Sequence, residues 1–202
     1  MMVNRIALRK CATALAVTLF LSASFFAQNA SLSSISRIHI DNFGRISETY
    51  YRGAQPNERG FEDLAKLGVK TVIDLTANGR TDEQTMVEHA GMNFYRIPLT
   101  TSDRPPDAAI ARFLKLVNDP AMQPVYVHCQ GGRHRTGVMT AVYRMTHDNW
   151  TANQAYVEMK QYRFEGFPGH PILKSFVFDY YSHLAQPEIA KEVHSNEGAA
   201  SK

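Results

Sequence analysis

The sequence predicts an α/β fold with a central, mostly parallel sheet flanked by helices. Three observations lead there. From residue 49 onward, short runs rich in β-branched and aromatic residues alternate with segments of helical periodicity. One of these runs, KTVIDL at residues 70–75, has a strongly apolar centre, as a core strand requires. Another, PVYVH at residues 124–128, is aimed straight at a glycine-rich segment that leads into an apolar helix. The chain has 202 residues, enough for one domain with an extra segment. Its 44% hydrophobic and 20% charged content is ordinary for a globular core, which at this size needs neither disulfides nor a structural metal.

The extra segment is at the start. Residues 1–30 hold Arg5, Arg9 and Lys10 and no acid, followed by an apolar run at 11–27. A positive region, an apolar stretch and then small residues (Ser22-Ala23-Ser24) describe an export signal. The run is short for a membrane span of about 20 residues. The expectation is therefore an exported, periplasmic or secreted protein. An uncleaved leader would instead act as an anchor and associate the chain with a membrane. Without those 30 residues, 19 Lys+Arg face 19 Asp+Glu, so the overall charge of +3 belongs to the leader. Nucleic acid is thereby disfavoured as a partner.

Residues 31–48, rich in serine and other polar residues, read as a linker. The fold then starts with a strand at 49–52. Asn57 caps a helix that runs to Leu67, with Phe61, Leu64 and Ala65 on one face and Gly68 as its stop. After the strand at 70–75, a second helix begins at Thr81 and ends at Gly91. Its Glu/Gln-rich first turn suits the helix dipole. A third strand, NFYRIPL, covers 93–99. Pro105-Pro106-Asp107 starts a helix with Ile110, Phe113, Leu114 and Val117 at i, i+3, i+4, i+7. The strand at 124–128 precedes an apolar helix over 136–147, and Thr151 and Pro171 open two more. The globular domain is read as 49–185, with a flexible tail over 186–202.

The chemistry concentrates in His128-Cys129-Gln130-Gly131-Gly132-Arg133-His134-Arg135-Thr136-Gly137. A loop that leaves a strand and wraps into a helix N-terminus turns backbone N–H groups toward one point and adds the positive end of the helix dipole. That is an anion site at the carboxyl end of a strand, where α/β sheets bind ligands. Gly131, Gly132 and Gly137 allow positive φ and close approach to a ligand. Cys129 lies at its base, where the field that binds phosphate also stabilises a thiolate, the nucleophilic form. His128 would support it by hydrogen bonding to the local backbone. Arg135 offers a planar fork for two phosphoryl oxygens. The Thr136 hydroxyl would donate to the sulfur. Once the leader, with Cys11, is removed, Cys129 is the one remaining thiol, so no internal disulfide is available.

HCQGGRHRTG resembles the HCxxGxxRTG signature of protein tyrosine and dual-specificity phosphatases. The upstream YRGAQP and GVKTVIDL segments are similar to small bacterial members, and the ending resembles atypical plant and fungal enzymes, some of which act on inositol pyrophosphates. There lysine usually follows the central glycine, where this chain has Arg133. The resemblance covers residues 49–165. It implies the cysteine-phosphatase fold and a metal-free, cofactor-free, two-step hydrolysis of phosphomonoesters. Cys129 would be the nucleophile, Arg135 the phosphate clamp, and the amides of residues 130–135 the cradle.

The family places an acid in the loop after the third strand, and Asp103 is the choice there. Asp107 is the competitor, though its place after two prolines suits helix capping. Asp74, inside a strand, reads as structural. Arg133 and His134 add positive charge to the loop, which would suit a polyphosphorylated substrate. A phosphorylated protein stands first as substrate and an inositol phosphate or pyrophosphate second, with the enzyme acting as a monomer. A phosphate-binding pseudophosphatase is the non-enzyme alternative, disfavoured because Cys129 and Arg135 are both present.

Overall fold

The computed structural model describes residues 38–165 and 169–184. The leader and the tail at 186–202 lie outside the described residues. Five strands, β1 (Gly44–Arg45), β2 (Tyr50–Gly53), β3 (Thr71–Thr76), β4 (Asn93–Leu99) and β5 (Val125–His128), form one sheet in the order β1-β2-β5-β3-β4. β2, β5, β3 and β4 are parallel and β1 runs antiparallel at the edge. Six helices accompany them among the described residues: α1 (Glu58–Lys66), α2 (Glu83–His89), α3 (Asp107–Asn118), α4 (Arg135–His147), α5 (Ala152–Gln161) and α6 (Pro171–Leu184).

Local chemistry explains several of these boundaries. Asn57 accepts from the Gly60 N–H through its side chain at 2.9 Å and caps α1, a contact worth about 1 kcal/mol. Gly68 and Gly91, at φ +89° and +82°, take the left-handed turn that releases the chain from α1 and α2. Thr151 and Gln154 form a reciprocal capping box at the start of α5.

Every residue of β2, β3 and β5 is buried, as expected of strands packed on both faces. The long α4 is buried along most of its length, and Val138, Met139, Ala141 and Val142 join Ile73, Val125, Val127 and Phe113 in the core. Such burial of large aliphatic side chains contributes roughly 1.5–3 kcal/mol each. It also clamps the strand and the helix on either side of the cysteine loop.

The reading of residues 31–48 as linker needs correction in its described part. Ile40 and Ile46 are buried, Phe43 stacks on Tyr51 and Tyr126, and Gly44–Arg45 adds β1 to the sheet. Their polar neighbours concealed this, because isolated apolar residues at 40, 43 and 46 make no recognisable period.

Candidate active site

β5 is the middle strand, and its last residue, His128, is flanked in register by Gly53 of β2 and Asp74 of β3. The chain leaves the carboxyl end of this strand at Cys129 and enters α4 at Arg135. Cys129, Arg135, Thr136, His128 and the intervening Gln130, Gly131, Gly132, Arg133 and His134 are thus brought into one turn.

The carbonyl groups of this loop are tied outward. Gln130 O accepts from the Gln55 N–H at 3.1 Å. Asn42 Nδ2 donates to Gly131 O and Gly132 O at 3.3 and 2.8 Å, and to Tyr162 O at 3.0 Å. Arg52 Nη2 donates to Gly132 O at 2.6 Å. Arg133 O and His134 O accept from Gly137 and Val138 in the first turn of α4. The backbone N–H groups from Gln130 to His134 donate to no other backbone carbonyl among the described residues. An outward ring of carbonyls with unclaimed N–H groups is the arrangement that binds an anion.

One glycine holds this shape. Gly132 sits at φ +62°, and a Cβ there would lie 2.3 Å from the Gly53 carbonyl carbon and 2.6 Å from Ala54 N. Gly131 has no positive φ and meets only the Arg133 side chain. Gly137 is helical and in ordinary contact with Met159 and Phe164. The conformational demand expected of three glycines therefore falls on Gly132.

Cys129 is 2% exposed. Burial pushes its thiol up, but the Thr136 hydroxyl and N–H, then the positive charges of Arg135 and His128, outweigh that and hold its pKa below the ordinary value. The Thr136 hydroxyl lies against the sulfur without meeting hydrogen-bond geometry, and has no other partner. Arg135 Nη1 donates to Leu99 O at 3.3 Å, while its buried Nε has no partner. A buried guanidinium donor left open beside a thiol is suited to an incoming oxyanion.

His128 departs from the expected backbone contact. It is fully buried, with Nε2 2.9 Å from Glu83 Oε1 and Nδ1 4.0 Å from Asp74 Oδ1. Neither approach is aligned as a hydrogen bond. Asp74, Glu83 and His128 offer ligand atoms within 4.8 Å of one another, a spacing that suits a cation. Here the Arg96 guanidinium supplies that charge, bonding Asp74 at 2.6 Å and Glu83 at 3.3 Å.

His134 is also revised. Burial, then the charges of His170 and Arg133, pull its pKa down to about 4, so it is neutral at neutral pH. Its ring packs on His170 and Phe164 with centroids at 3.8 and 5.6 Å. Arg133 is exposed. Of the two charges read in the loop, only the arginine is carried at neutral pH.

Asp103 lies in the loop leaving β4, four residues after the Leu99 carbonyl that Arg135 holds. It is exposed, and hydrogen bonds from Thr100 and then Ser102 hold its pKa below the usual carboxylate value. Asp107 is the first residue of α3, whose cap, Pro106, makes no side-chain bond. Its role is that of an acidic group in the first turn, not a cap.

Residues 30–171 match the family model described as DSP-PTPase phosphatase fused to NAD+ kinase. The chain belongs to the DSP-PTPase phosphatase family. It is 32% identical over 121 residues to the dual specificity protein phosphatase TpbA of Pseudomonas aeruginosa strain UCBPP-PA14, covering 59% of this chain and 54% of that protein. It is 25% identical over 130 residues to the inositol diphosphatase SIW14 of Saccharomyces cerevisiae, covering 61% of this chain and 46% of that one. The chain thus spans about half the length of these curated relatives. The crystal structure of a cysteine-to-serine variant of P. aeruginosa TpbA in complex with pTyr superposes with a TM-score of 0.60 at 27% identity, covering 73% of this chain and 91% of that one. The catalytic core of the S. cerevisiae PP-IP phosphatase SIW14 does so at 0.62 and 23% identity, covering 78% and 94%, and shares the fold.

Asn42, Arg52, Gln55, Glu83 and Arg96 were missed by sequence reasoning. A signal existed for Arg52, since an arginine inside a buried strand needs a buried partner. Asn42 gave none, because it acts on carbonyls 89 and 90 residues away.

Proposed function

We propose that this protein is a cysteine-dependent phosphatase that hydrolyses phosphomonoesters through a phosphocysteine on Cys129. One observation carries the reading: a buried thiol with a lowered pKa at the floor of a loop whose carbonyls are turned outward and whose N–H groups are unclaimed. A phosphate entering the loop accepts from those amides and from Arg135. The Cys129 thiolate attacks phosphorus, the P–O bond to the leaving group breaks, and its oxygen takes a proton from Asp103. Water then attacks the phosphocysteine, Asp103 takes its proton, and the sulfur leaves as thiolate beside the Thr136 hydroxyl. Arg135 and the amides stabilise the equatorial oxygens in both steps.

Asp103 must be protonated to serve in the first step, whereas its resting pKa is lowered. The approaching phosphate supplies the correction, since a like charge favours the neutral carboxyl. The substrate class favoured is a phosphotyrosine-bearing or otherwise phosphorylated protein, supported by the likeness to TpbA, which has been crystallised with pTyr. An inositol phosphate or pyrophosphate is the second reading, supported by Arg133, exposed at the loop, and by the likeness to SIW14. The composition of residues 1–30 supports action outside the cytoplasm, which N-terminal sequencing of exported protein tests.

The enzymatic test is hydrolysis of an aryl phosphate in the presence of a chelator. Wild type turns over and is inhibited by vanadate, whereas Cys129→Ser and Arg135→Ala lose nearly all activity. Undiminished turnover by Cys129→Ser would sink the mechanism.

A further inference from the structure

Glu83 opens α2, where the sequence suggests an ordinary dipole partner at the surface. Its side chain is instead fully buried. Oε1 accepts from Gln55 Nε2 at 2.7 Å and lies 2.9 Å from His128 Nε2. Oε2 accepts from Arg96 Nη2 at 3.3 Å. Gln55 in turn donates its backbone N–H to Gln130 O at 3.1 Å. One carboxylate therefore reaches both neighbours of Cys129: His128 directly and Gln130 through Gln55.

The charges make the arrangement specific. A buried carboxylate without compensation costs several kcal/mol. Arg96 is shared, and its closer bond, at 2.6 Å, goes to Asp74, which is also fully buried. The His128 imidazole adjoins both carboxyl groups. Arg80 adds a more distant positive charge but bonds exposed Asp82. Tyr126, stacked on His128 with centroids 5.6 Å apart, is kept as a neutral phenol by burial and then by the charge at Cys129. Around Cys129 itself the other charged groups are Arg135 and Arg52.

We propose that Glu83 is a positioning residue for the Cys129 nucleophile, holding its two neighbours, His128 and Gln130, in place. The inference rests on the phosphatase reading for what the cysteine does. The contacts themselves are independent of it.

The test measures the pH dependence of Cys129 alkylation by iodoacetamide in the full chain, which follows the thiolate without requiring turnover. Glu83→Gln keeps the shape and removes the charge. Its alkylation midpoint and the acid limb of kcat/KM for an aryl phosphate move together, by about one pH unit, the scale set by a charge within a few ångströms. In a His128→Asn background the same substitution leaves the midpoint unmoved. Gln55→Ala lowers kcat/KM without moving the midpoint, and carries the test should Glu83→Gln not fold. A wild-type midpoint in folded Glu83→Gln, an equal shift in the His128→Asn background, or a wild-type kcat/KM in Gln55→Ala would overturn the assignment. Wild-type protein that alkylates as expected but does not hydrolyse the ester would refute the phosphatase reading and leave the Glu83 assignment standing.

Discussion

Replacing Gly132 by alanine tests whether the loop is shaped by its backbone. The substitution meets two obstacles at once. Its φ of +62° is left-handed, which costs a non-glycine residue roughly 1–2 kcal/mol. The new Cβ would stand 2.3 Å from the Gly53 carbonyl carbon, 2.4 Å from its oxygen and 2.6 Å from Ala54 N. These are backbone atoms of β2 and its exit and have no rotamer to change, so the loop must lift away. Overpacking of this kind costs about 1–3 kcal/mol. The combined loss of about 2–5 kcal/mol, at roughly 2–4 °C per kcal/mol for a chain of this size, lowers Tm by about 4–20 °C. The lift also breaks the bonds from Arg52 and Asn42 to Gly132 O. Displacing catalytic groups by about an ångström costs about 100-fold in turnover. Thermal unfolding followed by circular dichroism, with aryl phosphate hydrolysis on the same samples, reads both effects. Gly131→Ala is the control for stability: its Cβ would touch only the Arg133 side chain, at 3.6 Å or more, and Tm moves by no more than about 2 °C. Equal damage at both glycines, or an undisturbed Gly132→Ala, would refute the account of the loop.

Other outcomes follow from the same geometry. Asp103→Asn lowers kcat by about 100-fold or more and flattens the alkaline limb of the pH profile, while Asp107→Asn keeps the wild-type profile; the reverse pattern would move the acid to Asp107. Asn42→Ala removes the donor to Gly131 O and Gly132 O, raising KM for an aryl phosphate and lowering stability by about 1–3 kcal/mol in denaturant unfolding. His134 has a folded pKa of about 4 against an ordinary 6.5, so the unfolded chain binds more protons between those values and stability falls as pH drops from 6.5 to 4. His134→Gln weakens that acid loss, as measured by denaturant midpoints across this range. Cys129, whose pKa is also lowered, acts with the same sign at higher pH. Its depressed pKa adds stability that is present above the unfolded thiol pKa and is lost as pH falls through the folded one. The Tm difference between wild type and Cys129→Ser therefore grows with pH.

What was legible in the sequence had local causes. The helix from Asn57 to Gly68, the strand at 93–99 and the capped helix at Thr151 each depend on residues a few positions apart, and all three formed at those places. The loop was legible because strand, cysteine, glycines, arginine and helix are contiguous. What supports the loop was not. Asn42, Arg52 and Gln55 reach it from β2 and the segments before β1 and after β2, while Glu83 and Arg96 come from elements more than 30 residues upstream of Cys129. Glu83 is the sharpest case, because a glutamate in a first helical turn ordinarily faces water, and nothing nearby in the chain marks it as buried. Gly131 and Gly137 show the converse: their composition suggested a conformational need that Gly132 alone among the three meets.

The central claim is that Cys129 carries the phosphoryl group. Rapid acid quench of the full chain during aryl phosphate turnover, followed by peptide mass spectrometry, tests it most directly. The account predicts one phosphoryl group on the peptide containing Cys129, absent from Cys129→Ser, and more of it in a variant slowed in the second step such as Asp103→Asn. A phosphoryl group on a different residue, or turnover in Cys129→Ser at the wild-type rate, would contradict it.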